Sequence, residues 1–521
     1  MILAERTPRK SRLLAVILLA AAWLWLQTAW LSDDAYITFR ALDHACRGLG
    51  LSWNPGERVQ SFTHPLWALL LLPVQCAAGE AYFSTLAVQF VLFLASFYLL
   101  LTLAARRSLP TALGAGLAAL ASRALVEYGS SGLENPLLDV LLLALLHERL
   151  RQSERVRPLA GLLAALAILT RQDAALLALP LLWGRKFAPR TWLALLLPLL
   201  AWHSFALVYY GTPWPTTAYA KLNVHIPRAA LASQGLAYLQ RTLTQDLPTL
   251  ALVALGLLLP WQMEPTPERP WLRAGSLGLA LHLVYILSIG GDFMAGRFLH
   301  TPALLGLGLA VLAGPPQFVP HLPRWAMPAG VAFLLLFSAV QPHSHLLAGR
   351  DFGSELQARP MDAVDAFGIA DERAYYYPLT GLLPVLAQYQ QLTTAGLPIP
   401  PARGARKGLE LRQSGVAFAQ VNEAGFLGYF ARDAHLLDVW ALSDPLLARL
   451  PFTDKAWRIG HFRRAIPAGY AESLQARLAG DTAANLLRDP EQAALYADVR
   501  LLTTGPLFTA ERWQAIVRQL F

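Results

Sequence analysis

Eleven apolar runs, separated by short polar segments, fill most of the chain between residues 13 and 341. They lie at 13–31, 82–105, 110–127, 135–149, 157–171, 173–184, 190–210, 247–261, 271–289, 298–314 and 324–341. A water-soluble core has no use for so many consecutive apolar segments, whereas a bilayer wants about 20 apolar residues per helical crossing. Composition agrees: charged residues are 15% of the chain, against roughly 25% in an average soluble domain. The expected fold class is an α-helical polytopic membrane protein with about eleven transmembrane helices. Disordered, collagen-like, disulfide-stapled and ordinary cytosolic readings are set aside. The two cysteines, Cys46 and Cys76, make no zinc cluster; one bridge between them is open.

Charge fixes the expected orientation. Residues 1–341 carry 25 Lys and Arg against 16 Asp and Glu, while residues 342–521 carry 18 of each. The basic excess therefore belongs to the apolar part, which argues for positive loops facing the cytoplasm rather than for nucleic acid. With eleven spans and a cytoplasmic N-terminus, the inside segments hold Arg6, Arg9, Lys10, Arg12, Arg106, Arg107, Arg149, Arg151, Arg155, Arg157, Arg185, Lys186, Arg190, Arg269, Arg273 and Arg324. The run at 13–31 also fits a signal peptide, but Trp23, Trp25 and Trp30 suit an interfacial belt better than a cleavage site. The stretch 64–79 is read as a helix lying at the outer interface. The domains expected are a membrane module over 1–341, with outward loops at 32–81 and 211–246, and a soluble α/β domain over 342–521. In that tail, short apolar runs (416–421, 435–441) alternate with helical stretches (446–450, 470–488, 509–521).

The few acidic residues are placed informatively. Asp33 and Asp34 follow the first run directly, in Ser32-Asp33-Asp34-Ala35-Tyr36. Adjacent carboxylates at a membrane boundary repel each other, so they call for a cation, a hydroxyl or a proton. They read as a general base or hydroxyl binder, with a solvated helix cap as the plain alternative. Gly290-Gly291-Asp292-Phe293-Met294-Ala295-Gly296-Arg297 pairs a flexible turn with an acid and a guanidinium, the latter suited to phosphate. Glu134 opens a helix before Pro136, and an N-cap is its plainer role. Lys221 closes an aromatic stretch, Tyr209 to Tyr219, and could attract an anionic head group. His64 is a proton carrier or a structural hydrogen-bonder. Arg171 and Asp173 sit between two short runs, where a buried pair is the simplest reading. No P-loop, dinucleotide fingerprint, nucleophile elbow or HExxH motif occurs in the sequence. These groups suit a reaction on a lipid-linked anionic substrate at the outer face.

Seven segments in series then carry a resemblance: DDAYITFR (33–40), GLGLSWNPGERVQSFTHPLW (48–67), SGLENPL (131–137), LTRQDAALL (169–177), YGTPWPTTAYAK (210–221), GGDFMAGRFL (290–299) and GYFARDAHLLDVWALSDP (428–445). In this order they resemble the GT-C superfamily of membrane glycosyltransferases, most of all the arabinofuranosyltransferase branch of mycobacterial cell-wall synthesis. The resemblance implies a GT-C-like fold and transfer of a sugar, arabinofuranose in the branch it most resembles, from a polyprenyl-phosphate donor to a periplasmic glycan, glycolipid or glycoprotein. It implies Asp33 and Asp34 as the catalytic carboxylates. By residue chemistry, Tyr36, Arg40, His64, Glu134, Lys221, Asp292 and Arg297 are the donor- or acceptor-binding candidates. No cofactor is fixed, and a divalent cation (Mg, Mn or Ca) is left open. The expected location is the bacterial inner membrane, with the active site and C-terminal domain periplasmic, membrane lipid as partner and no nucleic acid. The rivals are a lipid-linked sugar flippase, a non-catalytic envelope scaffold, and a ligase using a diphosphate-linked donor.

Overall fold

The computed structural model describes residues 8–520 apart from 152, 223, 316–322, 324, 358, 395–399 and 453–456. Arg6 and Arg324, and the side chains of Arg9 and Lys10, lie outside what it describes. The chain forms two compact units. One comprises Met1–Ser32, Thr85–Pro198 and Pro227–Gln388; the other comprises Asp33–Ser84, Leu199–Ile226 and Tyr389–Phe521.

A helical segment occupies each of the eleven apolar runs. The first is the helix Pro8–Thr28, and Tyr82–Ala105 spans its whole run. Leucine- and alanine-rich stretches form helices because these residues lose little rotamer freedom there, and because a helix satisfies its backbone polar groups internally, as lipid demands. Four of the described helices are long and apolar enough to cross a membrane: Ser11–Thr28, Tyr82–Ala105, Pro189–Tyr210 and Arg269–Ser288. A fifth candidate is the pair Arg228–Gln245 and Leu247–Gln262, bent by 110°. The remaining apolar helices are 10–17 residues long. The chain is therefore largely helical, with apolar helices that suit a membrane protein; among the described residues, four of them, or five with the bent pair, are long enough to cross.

Local sequence explains the breaks. The run at 110–127 divides at Ser122, whose hydroxyl caps the helix Arg123–Glu127 by accepting from Leu125 N at 3.2 Å. The run at 173–184 folds as a short helix, Ala175–Ala178, between two 3₁₀ turns, the second starting at Pro180. In the first unit, the helices Leu247–Leu258 and Arg297–Ala313 approach through glycine. A Cβ at Gly306 would lie 2.6 Å from the Leu252 carbonyl, and one at Gly256 would collide with Gly306 itself. Small residues of this kind let helix backbones pack closely in lipid. The region 211–246, expected as a loop, holds the helices Thr216–Leu222 and Arg228–Gln245.

The second unit is built on the helix Asp33–Cys46, the helix Pro65–Ala78 and the tail. The Cys46–Cys76 bridge, left open by the sequence, is formed and joins the two helices with their Cα atoms 5.3 Å apart. In the tail, strands Phe418–Val421 and His435–Asp438 pair in parallel, with Phe418 opposite His435 and Val421 opposite Asp438. The helix Phe426–Ala431 makes the crossover, and Arg403–Gln413 packs on it. Helices Tyr470–Leu478, Pro490–Thr504 and Ala510–Leu520 follow. Apolar residues including Leu437, Val439, Leu446, Leu447, Tyr470 and Tyr496 form the main core of this unit.

Candidate active site

Asp33 and Asp34 form the first turn of the helix Asp33–Cys46. The positive end of a helix dipole offsets part of the cost of two adjacent carboxylates. Asp33 is also held by the tail: its Oδ1 accepts from the Phe426 amide at 2.6 Å. Gly425 makes this approach possible, since a Cβ there would collide with the Asp33 carboxylate and carbonyl. Desolvation, then the nearby Glu423 carboxylate, raise the Asp33 carboxyl well above the ordinary carboxylate range, and Asp34 adds to the rise. The Phe426 and Gly425 amides oppose it. Glu423 sits against Gly404, where a Cβ would strike its carboxylate, and its own proton affinity is raised by burial.

Asp34 is half-buried and lies in the electrostatic field of His461, as do Lys221 and Arg458. Burial, then the Arg458 guanidinium, lower the His461 imidazole to about 4. Its Nδ1 is 3.2 Å from the Ile459 carbonyl, so that nitrogen carries the ring proton. His461 was not among the sequence candidates. A lone histidine outside any recognised segment carries no signal by itself.

The other candidates in this unit are placed differently. Tyr36 is buried among Phe39, Phe426, Tyr429 and Phe430, with ring centroids 4.6–6.2 Å away. Its hydroxyl has no hydrogen-bond partner among the described residues. Arg40 is buried and committed to backbone: it donates to the carbonyls of Trp53 at 2.5 Å, Ala434 at 2.7 Å and Gly428, and its guanidinium lies 4.7 Å over the Trp53 ring. It pins the first loop to the tail instead of facing a substrate. His64 is buried at the start of the helix Pro65–Ala78, with Nε2 2.9 Å from the Thr38 hydroxyl.

Glu134, Asp292 and Arg297 belong to the first unit. Arg171 bridges Glu134 at 3.0 Å and Asp173 at 2.9 Å, and Asp173 meets His282 at 3.1 Å. Arg297 pairs with Asp292 at 2.5 Å and lies over the Phe298 ring. Gly291 and Gly296 both need the left-handed backbone there, with φ of 72° and 81°. Arg171, His282, Arg297 and Thr301 line a common pocket. Both guanidiniums are matched by carboxylates, so this cluster is internally compensated.

As for a metal, Asp33 and Asp34 supply two carboxylates. Among the described residues, no three His, Cys, Asp or Glu side chains come together, so a cation here would take its remaining ligands from the substrate phosphate and water.

Two relatives are similar to the chain over most of its length. A terminal beta-(1->2)-arabinofuranosyltransferase of Mycobacterium tuberculosis is 29% identical over 434 residues, covering 72% of this chain and 66% of the relative. A protein of the same name from Corynebacterium glutamicum is 26% identical over 528 residues, covering 85% of this chain and 74% of the relative. The chain thus spans just under two thirds of the length of the mycobacterial protein. The resemblance to the arabinofuranosyltransferase branch is borne out. No model of a known protein family matches the chain, and no solved structure matches it.

Proposed function

We propose that this membrane protein is a glycosyltransferase that moves an arabinofuranosyl residue from a polyprenyl phosphate to a hydroxyl of a cell-envelope glycan. The observation that carries the reading is the similarity to two terminal arabinofuranosyltransferases over 72% and 85% of the chain. The carboxylate pair in the first turn of the helix Asp33–Cys46 supports it chemically.

Asp34 takes the proton. The acceptor oxygen attacks the anomeric carbon of the donor sugar, and the bond from that carbon to the phosphate oxygen breaks. The lipid phosphate leaves with the electron pair, and the hydroxyl proton passes to the Asp34 carboxylate. A phosphate leaving group is already stable as an anion, so no strong acid is needed. Asp33 is a positioning residue: its carboxylate is occupied by the Phe426 amide and pressed against Gly425. Lys221, in the same unit and near His461, suits the donor phosphate.

The reaction would take place on the outer side of a bacterial inner membrane, with the N-terminus cytoplasmic and residues 342–521 periplasmic. Sixteen basic residues support that orientation: they fall in the short segments that an alternating reading of the eleven apolar runs places on the cytoplasmic side. The Cys46–Cys76 bridge supports an oxidising, outward location for the first loop.

The test is transfer by the purified chain in nanodiscs, supplied with a panel of polyprenyl-phosphate sugars and an envelope extract. Arabinofuranose transfer from the lipid donor is the expected result. Labelled donor that crosses the bilayer without transfer would instead establish a flippase.

A further inference from the structure

The tail turn after strand His435–Asp438 carries Trp440, half-buried, with part of its ring packed on the core of this unit and the rest exposed. Asp438 is fully buried, and its carboxylate accepts from Trp440 N at 2.9 Å, Ser443 N at 3.1 Å and the Ser443 hydroxyl at 3.1 Å. Ala441, directly after Trp440, has φ of 60°, a left-handed conformation that a residue with a Cβ adopts only when its surroundings impose it. Strain of this kind gathers at ligand sites. The Trp440 indole N–H donates to the Asn422 carbonyl at 2.8 Å, which fixes the plane of the ring.

The segment 458–464 closes the other side. Arg464 N donates to the Val439 carbonyl at 3.0 Å, and Arg458 pairs with His461 as an antiparallel bridge. This sets the His461 ring 5.4 Å from the Trp440 ring at 87°. Both side chains are half-buried. A flat apolar face beside a polar edge at a right angle matches a sugar ring, whose C–H face stacks on an aromatic while its rim presents hydroxyls. Kept neutral by burial and Arg458, the imidazole suits an uncharged hydroxyl better than a phosphate. The Asp34 carboxylate acts electrostatically on this imidazole, opposing the effect of Arg458.

We propose that Trp440 and His461 form the acceptor-sugar subsite: the indole stacks under one ring of a neutral glycan, and the imidazole holds a hydroxyl of that ring while Asp34 receives the proton of the attacking one. This rests on the transferase reading and names its acceptor-binding residues.

The test uses the full chain in nanodiscs and a short neutral arabinofuranosyl oligosaccharide. Binding is read by calorimetry, and transfer by steady-state kinetics with the same compound as acceptor. Trp440→Ala should raise both Kd and the acceptor KM about tenfold, the size of one good stacking contact. Its kcat and donor KM should stay within about twofold of wild type, and Trp440→Phe should restore most of the loss. His461→Gln should raise the acceptor KM severalfold, and it carries the test alone where Trp440→Ala fails to fold. Wild-type binding and acceptor KM in both variants would overturn the proposal, as would a raised donor KM in place of a raised acceptor KM. Calorimetry needs no turnover. A wild type that binds the glycan through this corner but never transfers would therefore contradict the transferase reading and not the subsite.

Discussion

The Asp33 carboxylate accepts a 2.6 Å hydrogen bond from the Phe426 amide, joining positions 393 residues apart in the sequence. Gly425 is the hinge of that contact, because a side chain there would occupy the space of the carboxylate. Gly425→Ala should therefore push Asp33 off the tail. The expected result is at least a tenfold loss of transfer, with about 1–3 kcal/mol of destabilisation as in other overpacked sites. Kinetics together with thermal melting of the variant check this.

Arg40 offers a contrast within the same helix. Its guanidinium satisfies three backbone carbonyls in a buried site. A lysine cannot reproduce that fork of donors. Arg40→Lys should cost about 2–4 kcal/mol by leaving buried carbonyls unpaired, with the donor KM of the folded fraction unchanged. A normal melting temperature with a raised donor KM would return Arg40 to the substrate contacts.

The bridge between Cys46 and Cys76 closes a loop with a sequence separation of 30. Loop closure of that length stabilises by about 3–4 kcal/mol on the chain-entropy account. The double substitution Cys46→Ala with Cys76→Ala should lower the melting temperature accordingly. Wild type treated with reductant should match the variant.

Hydropathy made the helix positions legible: Tyr82–Ala105 and Asn135–Arg149 coincide with the expected runs. It could not show how many cross the membrane, because helices such as Leu109–Ala121 are too short to cross unaided. Arg228–Gln245 does not stand out as an apolar run, because its polar residues dilute the signal. The tail helices Glu372–Thr380, Arg403–Gln413 and Pro490–Thr504 were missed for a similar reason. In the site, the acidic pair stood out because carboxylates are rare beside apolar runs. Its tail partners Gly425, Phe426 and His461 did not, since they meet it only through tertiary folding. Arg40 shows a limit of sequence reading: a guanidinium that donates to backbone carbonyls has the same sequence appearance as one awaiting a phosphate.

The tail carries a titratable group of its own. Burial raises the Asp444 carboxyl to about 8, with Glu57 adding to the effect. Its carboxylate accepts from Leu446 N, Leu447 N and the Tyr470 hydroxyl. An unfolded aspartate releases its proton near ~4. Between these values the folded chain binds the extra proton, so the stabilising contribution is full below about pH 4 and is lost as pH rises toward 8. Asp444→Asn should therefore flatten the fall in melting temperature across that window. An unchanged slope in the variant would assign the pH dependence to other groups.

The roles of the acidic pair can be separated by one kinetic comparison. Transfer rates of Asp34→Asn and Asp33→Asn would be measured beside wild type in nanodiscs, with the same donor and acceptor and with melting temperatures in parallel. Asp34→Asn should fold normally and lose about 10²–10⁴ in kcat, the size of a missing general base. Asp33→Asn keeps an oxygen for the Phe426 amide and should lose about tenfold or less. Transfer by Asp34→Asn within a few fold of wild type would contradict the assignment of the proton to that carboxylate.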